Sequence, residues 1–378
     1  LGGTAVAVGQ ASNFLVKQGT SVTIFEFQGV HEFEPTVALD KDIKVNSYKS
    51  KLLPRLGFNL ELRHDLKNIE TPDLIHIHGL WRLYYAQIAH YARKGKIPLV
   101  VSTHGMLEQW ALGRSKTIKW IARVLYQDKI LENAACLHTT SSEEAVTIRQ
   151  LGFTNPIAII PWGIESAEIS TAPCKKHKDR WGVEANKRIA LFVSRLHPAK
   201  GLDVLLKAWS CVRQRLNDWV LVIAGYDSDG YQRELIRLAR DLEIESDVVF
   251  LGPVHGQEKD DLFISSDLFI LPSRSENFGL VVPEALSKGL PVITTTGTPW
   301  SKIAEIGCGW WIERDVQSLV YTLNEAMTKD GDELRNMGMK GRAWIQDKFS
   351  LEASGHSLLE LYRWILKRGP KPSFVQYS

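Results

Sequence analysis

The chain has 378 residues, more than one hydrophobic core readily serves, so two domains are expected. Its 44% hydrophobic and 24% charged residues fit a globular protein, and no apolar run reaches the length of a membrane span. A net charge of +3 gives no global attraction for nucleic acid, and the scattered Cys136, Cys174, Cys211 and Cys308 form no metal-type pair and fit a reducing compartment.

The chain opens at Leu1 with Gly2-Gly3, a pair expected after a strand, so the first strand of the fold is expected to precede Leu1. Residues 5–17 read as a helix and 22–27 as a strand, while 29–70 are weakly patterned. Two further strands, 73–77 and 98–102, each run into a histidine-glycine loop: His78-Gly79-Leu80-Trp81 and Thr103-His104-Gly105. Ligands of open parallel sheets bind at the carboxyl ends of strands, so His78, Trp81 and His104 are candidate site residues. Residues 115–132 read as a basic amphipathic helix, in which Lys116, Lys119, Arg123 and Lys129 alternate with Ile118, Trp120, Ile121, Val124 and Leu125. Such a helix either covers a core face with its cations solvated or lies on an anionic membrane surface. A strand over 136–139 leads to a capping-type helix start, Ser141 to Glu144. Residues 158–160 end in Pro161-Trp162-Gly163-Ile164-Glu165, and the polar stretch 166–179 reads as a linker.

The second half opens with a strand over 189–193 and the loop Ser194 to Gly201, which carries Arg195 and Lys200. The strand 220–224 ends in Gly225-Tyr226-Asp227-Ser228-Asp229-Gly230, an Asp-x-Asp that could hold a metal but whose flanking glycines favour a turn. The strand 248–251 is followed by Val254 and His255. The apolar run 268–271 stops at Pro272-Ser273, and Glu276-Asn277 then lead to Phe278-Gly279-Leu280, where a helix starts. Glu284 lies one turn into that helix, Gly289 stops it, and 290–294 is the next strand. Strand, loop, helix, strand implies a parallel sheet. The loop offers one carboxylate for hydroxyls, backbone N–H groups at a helix start for phosphate, and a second carboxylate for another hydroxyl pair. A sugar joined through a diphosphate to a ribose has those groups in that order.

The run Glu276, Phe278-Gly279-Leu280, Glu284-Ala285, with Pro272-Ser273 before it and Gly289-Leu290-Pro291-Val292 after it, resembles the Glu-x7-Glu motif of retaining glycosyltransferases of family 4. Pro161 to Glu165 and Ser194-Arg195-Leu196 with Lys200-Gly201 are similar to two further motifs of that family. Trp162 stands where the family usually has asparagine, and Ser194 where it has glycine. The resemblance implies an α/β protein of GT-B fold: two Rossmann-like domains facing an interdomain cleft, with a C-terminal helix crossing back to the first domain. The expected division is 1–165 for the acceptor domain, 166–352 for the nucleotide-sugar domain and 353–378 for the returning helix.

It also implies roles. Arg195 and Lys200 would hold the diphosphate without a metal. Glu276, Asn277 and the backbone of Phe278, Gly279 and Leu280 would take the sugar and phosphate, and Glu284 the ribose. Val254 and His255 would border the base, Gly2 and Gly3 would touch the diphosphate, and His104 would face the sugar. His78 and Trp81 fall on the acceptor side. The implied donor is a UDP- or GDP-sugar and the acceptor a glycan or lipid-linked glycan, with no cofactor, no metal and no nucleic acid. The setting would be cytoplasmic surface-polysaccharide synthesis, at the inner face of the membrane. A nucleotide-sugar epimerase or hydrolase, or a non-catalytic nucleotide-sugar-binding protein, could share the same fold.

Overall fold

The computed structural model describes residues 3–28, 37–49, 57–113, 115–165, 175–213, 218–227 and 229–377. Gly2, one of the expected diphosphate contacts, lies outside the described residues. The chain divides into two compact units, Leu1–Gly163 with Leu351–Ser378, and Ile164–Ser350.

The first unit begins with the helix Gly3–Lys17, followed by a parallel pair of strands, β1 (Thr23–Gln28) and β2 (Lys44–Lys49). Its main sheet contains β3 (Ile75–His78), β4 (Leu99–Ser102), β5 (Cys136–Thr139), β6 (Ile157–Ile159) and the short C-terminal β13 (Val375–Gln376). These are ordered β13-β6-β5-β4-β3, all parallel except β13. β4 and β5 are buried along their whole length, as expected where helices cover both faces of a parallel sheet. The core gathers Leu62, Ile77, Val101, Leu137 and Ile148. The C-terminal helix Leu351–Ile365 belongs to this unit and packs on the first helix, where Phe14 meets His356 edge-on at 5.0 Å. Glycine is needed at 355, since a Cβ there would stand 2.2 Å from the Phe14 ring.

The expected helix over 115–132 is broken into Lys116–Ala122, a π-helical turn Arg123–Gln127, and Asp128–Glu132. Its buried side is carried by Ala122, Ile130 and Leu131. Ile118, Trp120, Val124 and Leu125 are instead 59 to 66% exposed, and Ile121 is exposed as well. The apolar face therefore does not cover a core. Lys119 donates to the Ala111 carbonyl and lies over the Trp81 ring, and Arg123 pairs with Asp128 at 3.0 Å, so two of the expected surface cations have partners within the chain. Among the described residues no helix is long and apolar enough to cross a membrane.

The second unit is a six-stranded parallel sheet of β7 (Arg188–Val193), β8 (Trp219–Ala224), β9 (Val248–Gly252), β10 (Leu268–Leu271), β11 (Val292–Thr295) and β12 (Gly309–Ile312). Its order, β12-β11-β10-β7-β8-β9, is that of a doubly wound Rossmann sheet. The chain leaves β7 in one direction and returns to its other side at β10. The crevice outside these two strand ends is where such folds bind ligands.

Candidate active site

The second unit places Arg195 and Lys200 on the loop after β7, and Glu276 to Leu280 on the loop after β10. These are the two loops at the switch point. Backbone contacts lock them together, the Arg274 N–H donating to the Ala199 carbonyl at 2.8 Å. Gly201 is required for this approach: its φ is +75°, and a Cβ would lie 2.1 Å from the Pro272 carbonyl oxygen. As a result Lys200 Nζ reaches Glu276 Oε1 at 2.5 Å, and Ser273 Oγ donates to the same oxygen at 2.6 Å. Arg195 is exposed on its loop. Glu284, in the helix Val281–Ser287, pairs with Lys259 at 2.7 Å.

Not every member of the loop presents its side chain. Phe278 is buried, with its ring 5.1 Å from Trp300 and 6.2 Å from Phe349, and its carbonyl accepts the Trp300 indole N–H at 2.5 Å. Its ring, like Trp300, is core, which leaves its backbone for a ligand. Val254 is buried and His255 exposed just beyond β9. The carboxylate of Asp227 is taken by the N–H groups of Tyr231 at 2.9 Å and Gln232 at 3.1 Å, where it caps the helix Tyr231–Asp241.

In the first unit, His78 Nδ1 and His104 Nε2 are 3.3 Å apart, and Trp162 stacks on His104 with centroids 5.7 Å apart at 17°. Both strand-end loops are held in unusual conformations: His104 (φ 49°) and Trp81 (φ 77°) are left-handed without being glycine. The Trp81 N–H donates to Gln127 Oε1 at 2.8 Å, and its carbonyl accepts from Tyr126 at 2.7 Å, both partners coming from the π-helical turn. Burial, reinforced by the charge the neighbouring histidines would carry, lowers the pKa of His76 and His78 well below the ordinary value, and burial lowers His104 to about 3 and His138 to about 4. The cluster is therefore neutral near pH 7. Gly3 opens the first helix.

Several residues of the site carry no motif. Glu144 belongs to the capping pattern by sequence. Its side chain instead turns inward and accepts from Thr103 Oγ1 at 2.5 Å, the Gly105 N–H at 2.6 Å and the Thr140 N–H at 3.1 Å. Burial raises its pKa, and these three hydrogen bonds oppose the rise. It thus clamps the loop that presents His104, while Ser141 caps the helix alone. His76, Ser102 and His138 also join the cluster. The one sequence signal for them was His76-x-His78, since alternate residues of a strand share a face and here their rings lie 4.1 Å apart.

Residues 1–168 match the family described as Glycosyltransferase Family 4, and residues 175–344 match Glycosyl transferases group 1. The D-inositol 3-phosphate glycosyltransferase of Rhodococcus erythropolis is 27% identical over 77% of this chain and 70% of its own length. That of Saccharomonospora viridis is 26% identical over 96% and 89%. Among solved structures, a sucrose-phosphate synthase from Thermosynechococcus elongatus aligns with a TM-score of 0.77 at 20% identity, covering 97% of this chain and 94% of that one. HepE of Anabaena, solved in complex with UDP and glucose, aligns with a TM-score of 0.76 at 20% identity, covering 95% of each chain. These likenesses show the GT-B fold.

Proposed function

We propose that this chain, which belongs to the GT-B glycosyltransferases, moves a sugar from a UDP- or GDP-linked donor to a glycan or lipid-linked glycan, with retention of anomeric configuration. The observation that carries the reading is the meeting of Lys200 and Glu276 at the switch point of the second sheet. A cation for a diphosphate and a carboxylate for sugar hydroxyls stand side by side there, as a nucleotide-sugar presents those groups. HepE, whose structure was solved with UDP and glucose, supports a uridine donor.

In this reading Arg195 and Lys200 bind the diphosphate and take up the negative charge that develops as it leaves. Charge-assisted hydrogen bonds of this kind contribute ~1.5–3 kcal/mol each, and they serve the role a divalent ion plays elsewhere. Glu276 and Asn277, with the backbone of Phe278 to Leu280, orient the sugar and phosphate. Glu284 takes the ribose, Val254 and His255 border the base, and Gly2 and Gly3 approach the diphosphate. His104 faces the sugar, and His78 and Trp81 guide the acceptor. The exposed apolar side chains of 118–125 seat the chain on the inner face of an anionic membrane, where a lipid-linked acceptor would be found.

The test is a thermal-shift screen of UDP, GDP and ADP with their sugars, in EDTA, because a ligand that binds the native state raises its melting temperature. One nucleotide should stabilise the chain, and Lys200→Ala should abolish the effect. Stabilisation that appears only with added Mn²⁺ would overturn the metal-free reading. Rapid hydrolysis of the sugar in every acceptor mixture, with no transfer product, would favour a hydrolase.

A further inference from the structure

A line of hydrogen bonds runs across the first unit's sheet beneath His104. Tyr362 Oη, on the C-terminal helix, lies 2.6 Å from His76 Nδ1 on β3. His76 Nε2 is 2.7 Å from Ser102 Oγ on β4, and Ser102 Oγ is 2.7 Å from His138 Nδ1 on β5. His138 Nε2 is 2.9 Å from the Ile160 carbonyl oxygen, just past β6.

Three strands, the residue that follows a fourth and a helix are thus joined, and the direction of every proton follows from one end. A carbonyl oxygen only accepts, so His138 Nε2 carries a proton. His138 is buried, His76 is half-buried, and both are neutral, which leaves His138 Nδ1 bare to accept the Ser102 hydroxyl proton. The Ser102 oxygen then accepts from His76 Nε2–H, which leaves His76 Nδ1 bare to accept from Tyr362. No link can be reversed without leaving a donor or acceptor of the line unmatched.

The chain ends where it bears on the site. Ile160 precedes Pro161-Trp162, and the Pro161 carbonyl is held by Ser354 Oγ at 2.8 Å, from the same C-terminal helix as Tyr362. Trp162 is buried, edge-on to His138 at 5.7 Å and stacked on His104. We propose that Tyr362, His76, Ser102 and His138 are positioning residues, a one-way hydrogen-bonded chain through which the C-terminal helix fixes the Ile160–Trp162 turn and presses Trp162 onto His104. The value of this to catalysis rests on the sugar-facing role proposed for His104; the chain itself does not. An otherwise unexplained departure from the family pattern, tryptophan at 162, is then the ring that covers one face of the half-buried His104.

The experiment is long-range proton–nitrogen NMR on the full chain labelled with ¹⁵N-histidine. His76 and His138 should both be Nε2–H tautomers at pH 7, and His104 should stay neutral at pH 5. Tyr362→Phe removes the first donor with little change of shape, and Ser102→Ala cuts the middle. In each, Trp162 loosens, more water reaches His104, and His104 should titrate above pH 5. An Nδ1–H tautomer at His76 or His138 overturns the proposed chain. So does a pair of folded variants whose His104 titration is unchanged, because a purely structural role would lower the melting temperature and leave that titration alone. These readouts need neither donor nor acceptor, so a failure of sugar transfer would not be mistaken for a failure of the chain.

Discussion

Lys200 and Glu276 are 76 residues apart in sequence, yet their side chains meet at 2.5 Å across the switch point of the second sheet. In the proposed function, a diphosphate would take over Lys200 and draw it away from Glu276, which would free that carboxylate for the sugar hydroxyls. In the free chain each residue holds the other in place. Lys200→Ala is expected to lower kcat about 100-fold, the scale seen when one stabiliser of developing charge is lost. Glu276→Ala should reduce transfer by a similar factor while changing the affinity for bare UDP less than threefold. Steady-state kinetics with calorimetry separates the two, and equal losses of nucleotide affinity would place both residues on the diphosphate.

Glu284 is expected to exchange Lys259 for the ribose hydroxyls when nucleotide binds. Glu284→Gln keeps the shape and loses the charge. Calorimetry with the nucleoside diphosphate alone should then show affinity weakened about tenfold, the ~1.4 kcal/mol of a charge-assisted hydrogen bond. Unchanged affinity would remove Glu284 from the site.

The second unit's candidate site was legible in the sequence because its residues lie on short loops between strongly apolar strands. Glu276, Gly279 and Glu284 carry spacing, and Lys200-Gly201 carries a turn. The histidine cluster was not legible in the same way. His76, Ser102, His138 and Tyr362 come from four separate elements, and nothing local to any of them indicates that strand order will align them. Glu144 misled for a related reason: the helix-start pattern it completes is real, but a buried loop offered three donors and outbid the capping role. The segment 115–132 has helical periodicity, yet periodicity alone does not tell which side faces inward, and the small Ala122 with Ile130 and Leu131 took that place.

The neutral histidines make stability depend on acid. Their folded pKa values lie below the unfolded value of ~6.5. The unfolded chain therefore binds more protons as pH falls below ~6.5, and stability is lost progressively from there down towards the folded values of about 3 and about 4. Above pH 7 the cluster contributes no slope. At pH 5 His104 and His138 should each cost about 2 kcal/mol, so the urea midpoint should fall between pH 7 and pH 5. His138→Gln should flatten that slope even if it lowers the midpoint throughout. A midpoint independent of pH over this range would mean that the cluster admits water.

The exposed face of 118–125 should bind vesicles containing anionic lipid. With Lys119 and Arg123 engaged inside the chain, attachment is expected to rest on Ile118, Trp120, Val124 and Leu125 more than on charge. Co-sedimentation should fall more than tenfold in a Trp120→Glu, Leu125→Glu double variant, and only a few-fold between 50 and 300 mM salt, over which exposed charges are screened. Equal recovery of the double variant and the parent would return this face to solvent.

Retention can arise from two inversions through a covalent intermediate or from attack on the face the leaving group departs from. Two inversions need a nucleophile beneath the anomeric carbon. Among the described residues of the second unit the strong candidate is Glu276, held by Lys200 and Ser273, an arrangement suited to accepting hydroxyls and poor for a free nucleophile. Same-face attack is therefore the expected route. The departing diphosphate oxygen would take the acceptor's proton while Arg195 and Lys200 stabilise its charge, and the chain's contribution would be positioning and electrostatics. NMR of the transfer product should show the donor's anomeric configuration, and mass spectrometry of the enzyme held with donor should show no added sugar. An inverted product would remove the retaining mechanism altogether. A sugar found on Glu276 would replace same-face attack with double displacement and make Lys200 the group that releases the nucleophile once diphosphate has bound.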